Sequence, residues 1–436
     1  MHKDDGWAEE SSASASVPLA LRRVLGLVIS GEATNRAELA RRSGLARSTV
    51  GQQVENLVGN GILQEVESRR SVRGRPPRVL TISPQAGTVV AVDVDTTASH
   101  VAIADLSRRL IAQDTVAVRI DAGPRIVLDA VSELLRRLLA EYDRAPGRVR
   151  EVVVGLPGPV DFQQGCAVQP TGMPGWDGYP VAEHLRERFR APVVVDNDVN
   201  LMALGEAEQG GAEMPLLCIK IASGIGAGLV TAGGDVYRGA DGAAGDIGHT
   251  RAVSGGNVLC VCGNVGCVGA IASHRAVLRG LGIPESTDDD PLHGTRVLAQ
   301  RVADSDPAAL HAVRQAATEV GEVVAVLVHM FNPRSIILAG PLSELRDDLV
   351  SAVRAAVYQR ALPLATRKLT ITATQLKGRS GLHGGIALAT RDVFGPAGIA
   401  RLLADEPGAA GSSGSSGSPT SPPRPSPDGY QATGAG

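Results

Sequence analysis

The segment Thr88–Ile120, "TVVAVDVDTTASHVAIADLSRRLIAQDTVAVRI", decides the architecture. Its Val/Ile-rich runs "TVVAVDVD", "HVAIADL" and "QDTVAVRI" are separated by short polar turns and read as three successive strands. Next comes "PRIVLDAVSELLRRLLAEY", apolar at helical spacing, then "VREVVVGLPGPV", a buried strand entering a Gly/Pro loop. The pattern recurs in "APVVVDND", "LLCIKIASGIGAGLV" and "SIILAGPL", with helical stretches between. Strand–strand–strand–helix units appearing twice predict a two-lobed α/β body over 83–403, with a cleft between the lobes.

At 436 residues the chain exceeds one typical domain, and 43% apolar residues suffice for real cores built from Ala, Val and Leu. No apolar run is long enough for a membrane span. The opening "MHKDDGWAEESSASAS" is acidic and lacks an apolar signal region, so the expected location is the cytoplasm, where disulfides are disfavoured. Residues 1–16 and 404–436 are Ser/Ala-rich and Gly/Ser/Pro-rich tails, expected to be disordered.

Charge is distributed unevenly. Val17–Leu80 holds eleven Arg against five Glu, a balance of +6, and since the whole chain carries −3 the rest carries −9. A basic module on an acidic body suggests contact with a polyanion. Within 17–82, Leu21, Val24, Leu25 and Val28 mark a first helix. Asn35 and Glu38 open a second as N-cap and N3, and Gly44 stops it. A third, "RSTVGQQVENLVGNG", places Val50, Val54, Leu57 and Val58 on one face and Arg47, Ser48, Thr49, Gln52 and Gln53 on the other. These polar types reach base edges and phosphates. "ILQEVESRRSVRGRPPRVLTI" then reads as two strands joined by a loop carrying Arg69, Arg70, Arg73, Arg75 and Arg78. The whole is a winged helix-turn-helix, with Arg73 and Arg75 suited to a narrow minor groove. The bland alternative is a small helical module for protein contacts whose charge serves solubility.

The body resembles the ROK family (repressor, open reading frame, kinase) over nearly all of 83–403. "GLPGPVD" (155–161), "MPGWDGYPV" (173–181), "DNDVNLMALGE" (196–206), "SGIGAG" (223–228) and "GAAGDIGH" (242–249) occur in the family's order. The resemblance implies an actin-like, hexokinase-like fold with ligand in the cleft. In "GHTRAVSGGNVLCVCGNVGCVG" (248–269), His249, Cys260, Cys262 and Cys267 offer one imidazole and three thiolates. That is a closed tetrahedral donor set for Zn²⁺, with Gly263 and Gly266 letting the chain fold tightly. The alternative is three ordinary thiols or a redox pair. The resemblance makes the zinc structural and sets His249 beside a sugar. It also makes Asp198 the counterpart of the kinases' general base and Asn197 a sugar contact, although an Asp there also caps a helix starting near Val199.

Departures from the family pattern point away from catalysis. Asp95 stands where the first phosphate loop has Gly, and a carboxylate about 4 Å from a phosphate charge costs on the order of 4 kcal/mol at an effective dielectric near 20. Gly172 replaces an Asn, Asp246 a Glu, and Gly269 a Glu; each lost buried hydrogen bond to a sugar is worth roughly 0.5–1.5 kcal/mol. The expected protein is a DNA-binding transcriptional regulator, a repressor of carbohydrate-related genes. Its degenerate sugar-kinase-like body would bind an effector (a sugar or derivative) through Asn197, Asp198, Asp246 and His249, with no catalytic residue and Asp198 a vestigial base. Expected partners are a double-stranded DNA operator and further copies of the chain, as homodimer or homotetramer. The alternatives are an active sugar kinase with a DNA-binding head, and a regulator whose body is only an oligomerisation scaffold.

Overall fold

The structure is a computed structural model and describes residues 17–67, 78–209, 211–287, 290, 292–345 and 347–404. Helix α1 (Leu19–Ile29) buries Leu21, Val24, Leu25 and Val28. Helix α2 (Arg36–Ser43) is capped by Asn35, whose side chain accepts from the Glu38 amide at 3.0 Å. The Glu38 carboxylate accepts from the Thr34 amide at 2.8 Å, one residue before the cap, and α2 ends in left-handed Gly44. Helix α3 (Arg47–Gly59) buries Val50, Val54 and Leu57. Val58, expected on that face, is exposed; one residue past Leu57 is about 100° around the helix.

Strands β1 (Leu63–Glu67) and β2 (Arg78–Ile82) pair antiparallel, Leu63 opposite Ile82 and Glu67 opposite Arg78. The connecting loop, with Arg69, Arg70, Arg73 and Arg75, lies outside the described residues. Arg78, expected in that loop, instead begins β2 and pairs with Glu65 at 3.2 Å, a carboxylate shared with Arg36. It braces the base of the ribbon. The carbonyls of Pro84, Gln85 and Ala86 are held by Arg144, Arg148 and Arg150. One contiguous apolar core runs from Val24, Leu57 and Leu80 through Val89 to Ile386 and Leu402, joining the opening module to the body.

The first lobe is a sheet ordered β5-β4-β3-β6-β9: β3 (Thr88–Val94), β4 (Ser99–Asp105), β5 (Leu110–Val116), β6 (Val149–Leu156) and β9 (Val193–Asn197). Helices α4 (Pro124–Glu141) and α5 (Val181–Phe189) and the small hairpin β7 (Val160–Asp161)–β8 (Cys166–Ala167) complete it. The third strand starts earlier than its sequence suggests, at Leu110, and Ile120 lies beyond it in a turn where its carbonyl accepts from buried Trp176 Nε1 at 3.0 Å. "APVVVDND" is β9 and pairs parallel with β6, so it closes the first sheet and does not open the second lobe.

Helix α6 (Asp198–Gln209) leads into the second sheet, ordered β11-β10-β12-β13: β10 (Leu216–Ile221), β11 (Ile225–Val230), β12 (Ser335–Ala339) and β13 (Thr370–Ala373). Among the described residues β10 and β11 form the antiparallel start of this unit, and the chain from 231 to 267 makes loops, parts of which line the cleft. Around them lie α7 (Val268–Ala272), α8 (His274–Gly280), α9 (His293–Ala303), α10 (Pro307–Phe331), α11 (Asp347–Arg360), α12 (Pro363–Thr366), α13 (Ser380–Val393) and α14 (Pro396–Ala404). Helices α6 and α13 cross backbone to backbone: a Cβ at Gly384 would sit 1.7 Å from the Leu201 carbonyl oxygen. Gly384→Ala is therefore expected to cost about 3 kcal/mol or more, read as a lowered urea midpoint; an unchanged midpoint would contradict this packing. Among the described residues no helix is long and apolar enough to cross a membrane.

Candidate functional site

A cavity of about 270 Å³ opens between the lobes, lined among others by Asn197, Asp198, Asp246, His249, Gly172 and Gly269. The strand-to-helix junction between β9 and α6 delivers the first pair. Asn197 Oδ1 accepts from the amides of Val199 (2.9 Å) and Asn200 (3.3 Å), and its Nδ2 donates to the Gly158 carbonyl at 2.8 Å. The helix starts at Asp198 itself, so Asn197 does most of the capping expected of Asp198. Asp198 is buried, and its Oδ1 accepts from the Val199 amide at 2.8 Å.

The charge at the cleft floor decides what Asp198 can do. Lys220, on β10, donates from Nζ to Asp198 Oδ2 at 2.6 Å. Burial alone would push the Lys220 ammonium towards neutrality, but the carboxylates of Asp198, Asp95 and Asp93 outweigh it and hold it charged. Burial pushes the Asp198 carboxyl above its usual range, with Lys220 opposing. Lys220 and the Val199 amide thus occupy both oxygens of Asp198, contacts that a base taking a hydroxyl proton would have to share or give up. A second, part-buried pair involves Asp196 on β9: Arg238 donates to Asp196 Oδ2 at 2.6 Å, with its guanidinium over the Phe162 ring.

Asp93 lies near Lys220, and burial pushes its carboxyl up to about 7, Lys220 opposing and Asp198 and Asp95 adding. Between pH 3.8 and about 7 the folded chain therefore holds a proton the unfolded chain has released, so stability falls as pH rises through that window. Asp93→Asn removes this titration. Its melting temperature is expected to exceed the parent's at pH 8 and by much less at pH 5. A gap independent of pH would contradict the assignment.

Asp95 has a local role in the turn between β3 and β4: its Oδ1 accepts from the Thr96 amide at 2.7 Å and its own amide donates to the Ala98 carbonyl at 2.9 Å. Despite burial, the Lys220 charge and the Thr96 amide keep its carboxyl below the usual range, so it remains an anion next to Thr96, which lines the cavity. The glycine turn "SGIGAG" joins β10 to β11, and Ser223, Gly224 and Gly226 line the cavity. Gly228 serves packing, since a Cβ there would lie 2.4 Å from the Val199 carbonyl oxygen.

His249, Cys260, Cys262 and Cys267 come together with their ligand atoms all within 4.8 Å of one another. His249 Nδ1 lies 3.6 Å from Cys260 Sγ, and Cys262 Sγ lies 3.8 Å from Cys267 Sγ. A tetrahedral ion with metal–sulfur bonds of about 2.3 Å has sulfur–sulfur edges of about 3.8 Å, so the group fits a metal ion such as Zn²⁺. A tight knuckle makes this possible: the Cys260 amide donates to Asn264 O, and Gly263 and Gly266 take positive φ. The Asn264 N–H holds the Cys262 thiol down, to about 7. The other ring nitrogen of His249 is 3.9 Å from Asp246 Oδ1, on the cavity side. Cys166 and Cys218 are buried elsewhere.

On the opening module, Arg47, Ser48 and Gln52 are exposed along α3, with Thr49 and Gln53 half-buried beside them. Arg73 and Arg75 lie outside the described residues. Sequence reasoning passed over Lys220, Arg275 and Arg279, all of which line the cavity. The signal for Lys220 was a single ammonium in an otherwise apolar strand, "LLCIKI", which needs a buried counter-charge.

The sequence pattern of the ROK family matches residues 89–392. The chain is 26% identical over 382 residues to the DNA-binding transcriptional repressor Mlc of Escherichia coli (strain K12), covering 85% of this chain and 92% of that one. Its fold is similar to the crystal structure of a ROK family transcriptional regulator, a homolog of the E. coli MLC protein, with TM-score 0.72 at 21% identity over 88% of this chain and 98% of that one. It is also similar to a ROK family glucokinase from Streptomyces griseus in complex with glucose and AMPPNP, with TM-score 0.60 at 26% identity, over 70% of this chain and all of that one (100%).

Proposed function

Because the chain belongs to the ROK family, we propose that it is a DNA-binding transcriptional regulator, a repressor of carbohydrate-related genes, whose kinase-like body senses a small ligand. One observation carries this reading: a three-helix module with an exposed polar α3 shares a continuous core with a two-lobed body whose base candidate, Asp198, is engaged by Lys220. The proposed division is 17–82 for DNA and 83–403 for ligand and self-association as dimer or tetramer. Arg47, Ser48, Thr49, Gln52 and Gln53 would face the major groove, with Arg73 and Arg75 at the neighbouring minor groove.

In the body, Asn197, Asp198, Asp246 and His249 would contact the ligand. His249, Cys260, Cys262 and Cys267 would hold Zn²⁺, whose contribution when bound is structural: four protein donors fix the loop that presents His249 to the cleft. Ligand that prefers one lobe arrangement shifts the population of that arrangement and, through the arginine-held linker at Pro84–Ala86, the placement of the DNA-binding module. Phosphoryl transfer would need Asp198 released from Lys220 and would meet the anionic Asp95. ATP consumption with a hexose panel is expected to stay at background. Selection from a random duplex library with the full chain is expected to recover one related set of sequences. Sugar-dependent ATP turnover would overturn the non-enzyme reading, and an unenriched library would overturn the regulator reading.

A further inference from the structure

The three thiols of the knuckle are not equivalent. Cys260 and Cys267 are buried, whereas Cys262 is half-buried. The buried two are also the ones that the backbone fixes. The Cys260 amide donates to the Asn264 carbonyl at 2.8 Å, and the Cys260 carbonyl accepts from the Gly263 amide at 3.0 Å. Cys267 forms an antiparallel bridge with Arg251 and stands at the N-cap of α7. The Val268 amide beside it donates to the Thr250 carbonyl at 2.9 Å. Cys262 lies between these anchors, next to Gly263, which has φ +89° and open space where a Cβ would be. The arm that carries Cys262 is thus the one with room to move.

Its sulfur is already 3.8 Å from Cys267 Sγ, against about 2.05 Å in a disulfide. Cys166 and Cys218 are buried apart from this group. A bound metal ion keeps its cysteine ligands as thiolates, the form that reacts with electrophiles. The knuckle therefore combines one accessible sulfur, one fixed sulfur within reach of it, and a glycine hinge between them.

We propose that Cys262 and Cys267 are an oxidant-sensitive pair: a peroxide oxidises Cys262, and its disulfide with Cys267 removes two of the four metal donors, so that the ion leaves. This rests on reading the four residues as metal ligands. In the first step Cys262 Sγ attacks one peroxide oxygen; an S–O bond forms, the O–O bond breaks and hydroxide departs, leaving a sulfenic acid. The Cys267 thiolate then attacks that sulfur; the S–S bond forms, the S–O bond breaks and a second hydroxide departs. Both hydroxides take protons from solvent, so two thiolates give two electrons and one peroxide becomes two waters. His249 and Cys260 remain as the only donors of the set. Both line the cavity, as do Leu259 and Val261, so oxidation of the knuckle alters the wall of the cleft. A thiol reductant restores the donors.

The test uses the full chain, reduced and zinc-loaded, treated with hydrogen peroxide beside a chromogenic zinc chelator. Release of about one zinc per chain is expected. Free thiols should fall from five to three, and dithiothreitol with added zinc should reverse both changes. The tryptic peptide Ala252–Arg275 holds all three knuckle cysteines. After alkylation of the remaining thiols its label should sit on Cys260, which leaves Cys262 and Cys267 as the pair. Dimedone present during oxidation should trap Cys262 as the sulfenic acid. A label on Cys262 or Cys267, dimedone on another knuckle cysteine, or zinc release that thiol does not reverse would each overturn the proposal. A reduced chain that takes up no zinc overturns the metal reading and the proposal with it. A chain that takes up zinc and holds it against peroxide overturns the proposal alone.

Discussion

Cys267→Ala is expected to release the metal and loosen the wall of the cleft. Cys267 is almost fully buried, is the residue from which α7 springs, and has its sulfur within 3.8 Å of Cys262 Sγ. With only three donors left the site loses its closed tetrahedral character, and a thousand-fold weaker metal affinity forfeits about 4 kcal/mol of stabilisation when metal is otherwise saturating. Metal content by mass spectrometry should fall from about one zinc per chain to well below half. The melting temperature should drop by about 10 °C. Because His249 belongs both to this group and to the cavity lining, ligand affinity should fall with the metal. An apparently normal metal content in Cys267→Ala would mean the thiols are not the ligand set.

Lys220→Met is the other change with a large expected effect. It keeps the length of the side chain while deleting the ammonium that faces Asp93, Asp95 and Asp198. Breaking a buried ion pair from one side typically costs 3–5 kcal/mol, since the remaining charge has lost its partner. Here three carboxylates are left facing one another. The cost must grow with pH, because without Lys220 their folded-state pKa values rise further and the protonated forms relieve the repulsion only at low pH. Denaturation at pH 5.5 and pH 8 should show the larger loss at pH 8. Combining Lys220→Met with Asp198→Asn should recover part of it. Equal losses at both pH values would show that the lysine acts by packing alone.

Much of the opening module was legible because its signals are local. Helical spacing located α1 and α3, and Asn35 and Gly44 bracketed α2 by cap chemistry. Val58 was misplaced because a run of apolar residues is wider than the face that α3 buries. The strands of the first lobe were legible as apolar runs, but their pairing was not. β9 resembles any buried strand, and only its partner β6 assigns it to the first sheet. The motifs led to the expectation that Asn197, Asp198, Asp246 and His249 share one site because they follow one another in a recognised order, and all four line the cavity. What they could not supply was contact across lobes. Lys220 lies 22 positions from Asp198, and neither its spacing nor its neighbours name that carboxylate. Arg275 and Arg279 look, in sequence, like ordinary exposed helix residues.

The most direct measurement is the affinity of the full chain for the duplex recovered by selection, at several salt concentrations, for the parent and for Gln52→Ala. Gln52 is exposed on the face of α3 proposed to enter the major groove. The expected result is specific binding that weakens steeply with salt, and a loss of about 1–3 kcal/mol for Gln52→Ala on the selected duplex with little change on unrelated DNA. Binding to any duplex with equal strength, or a Gln52→Ala variant indistinguishable from the parent on the selected one, would contradict it.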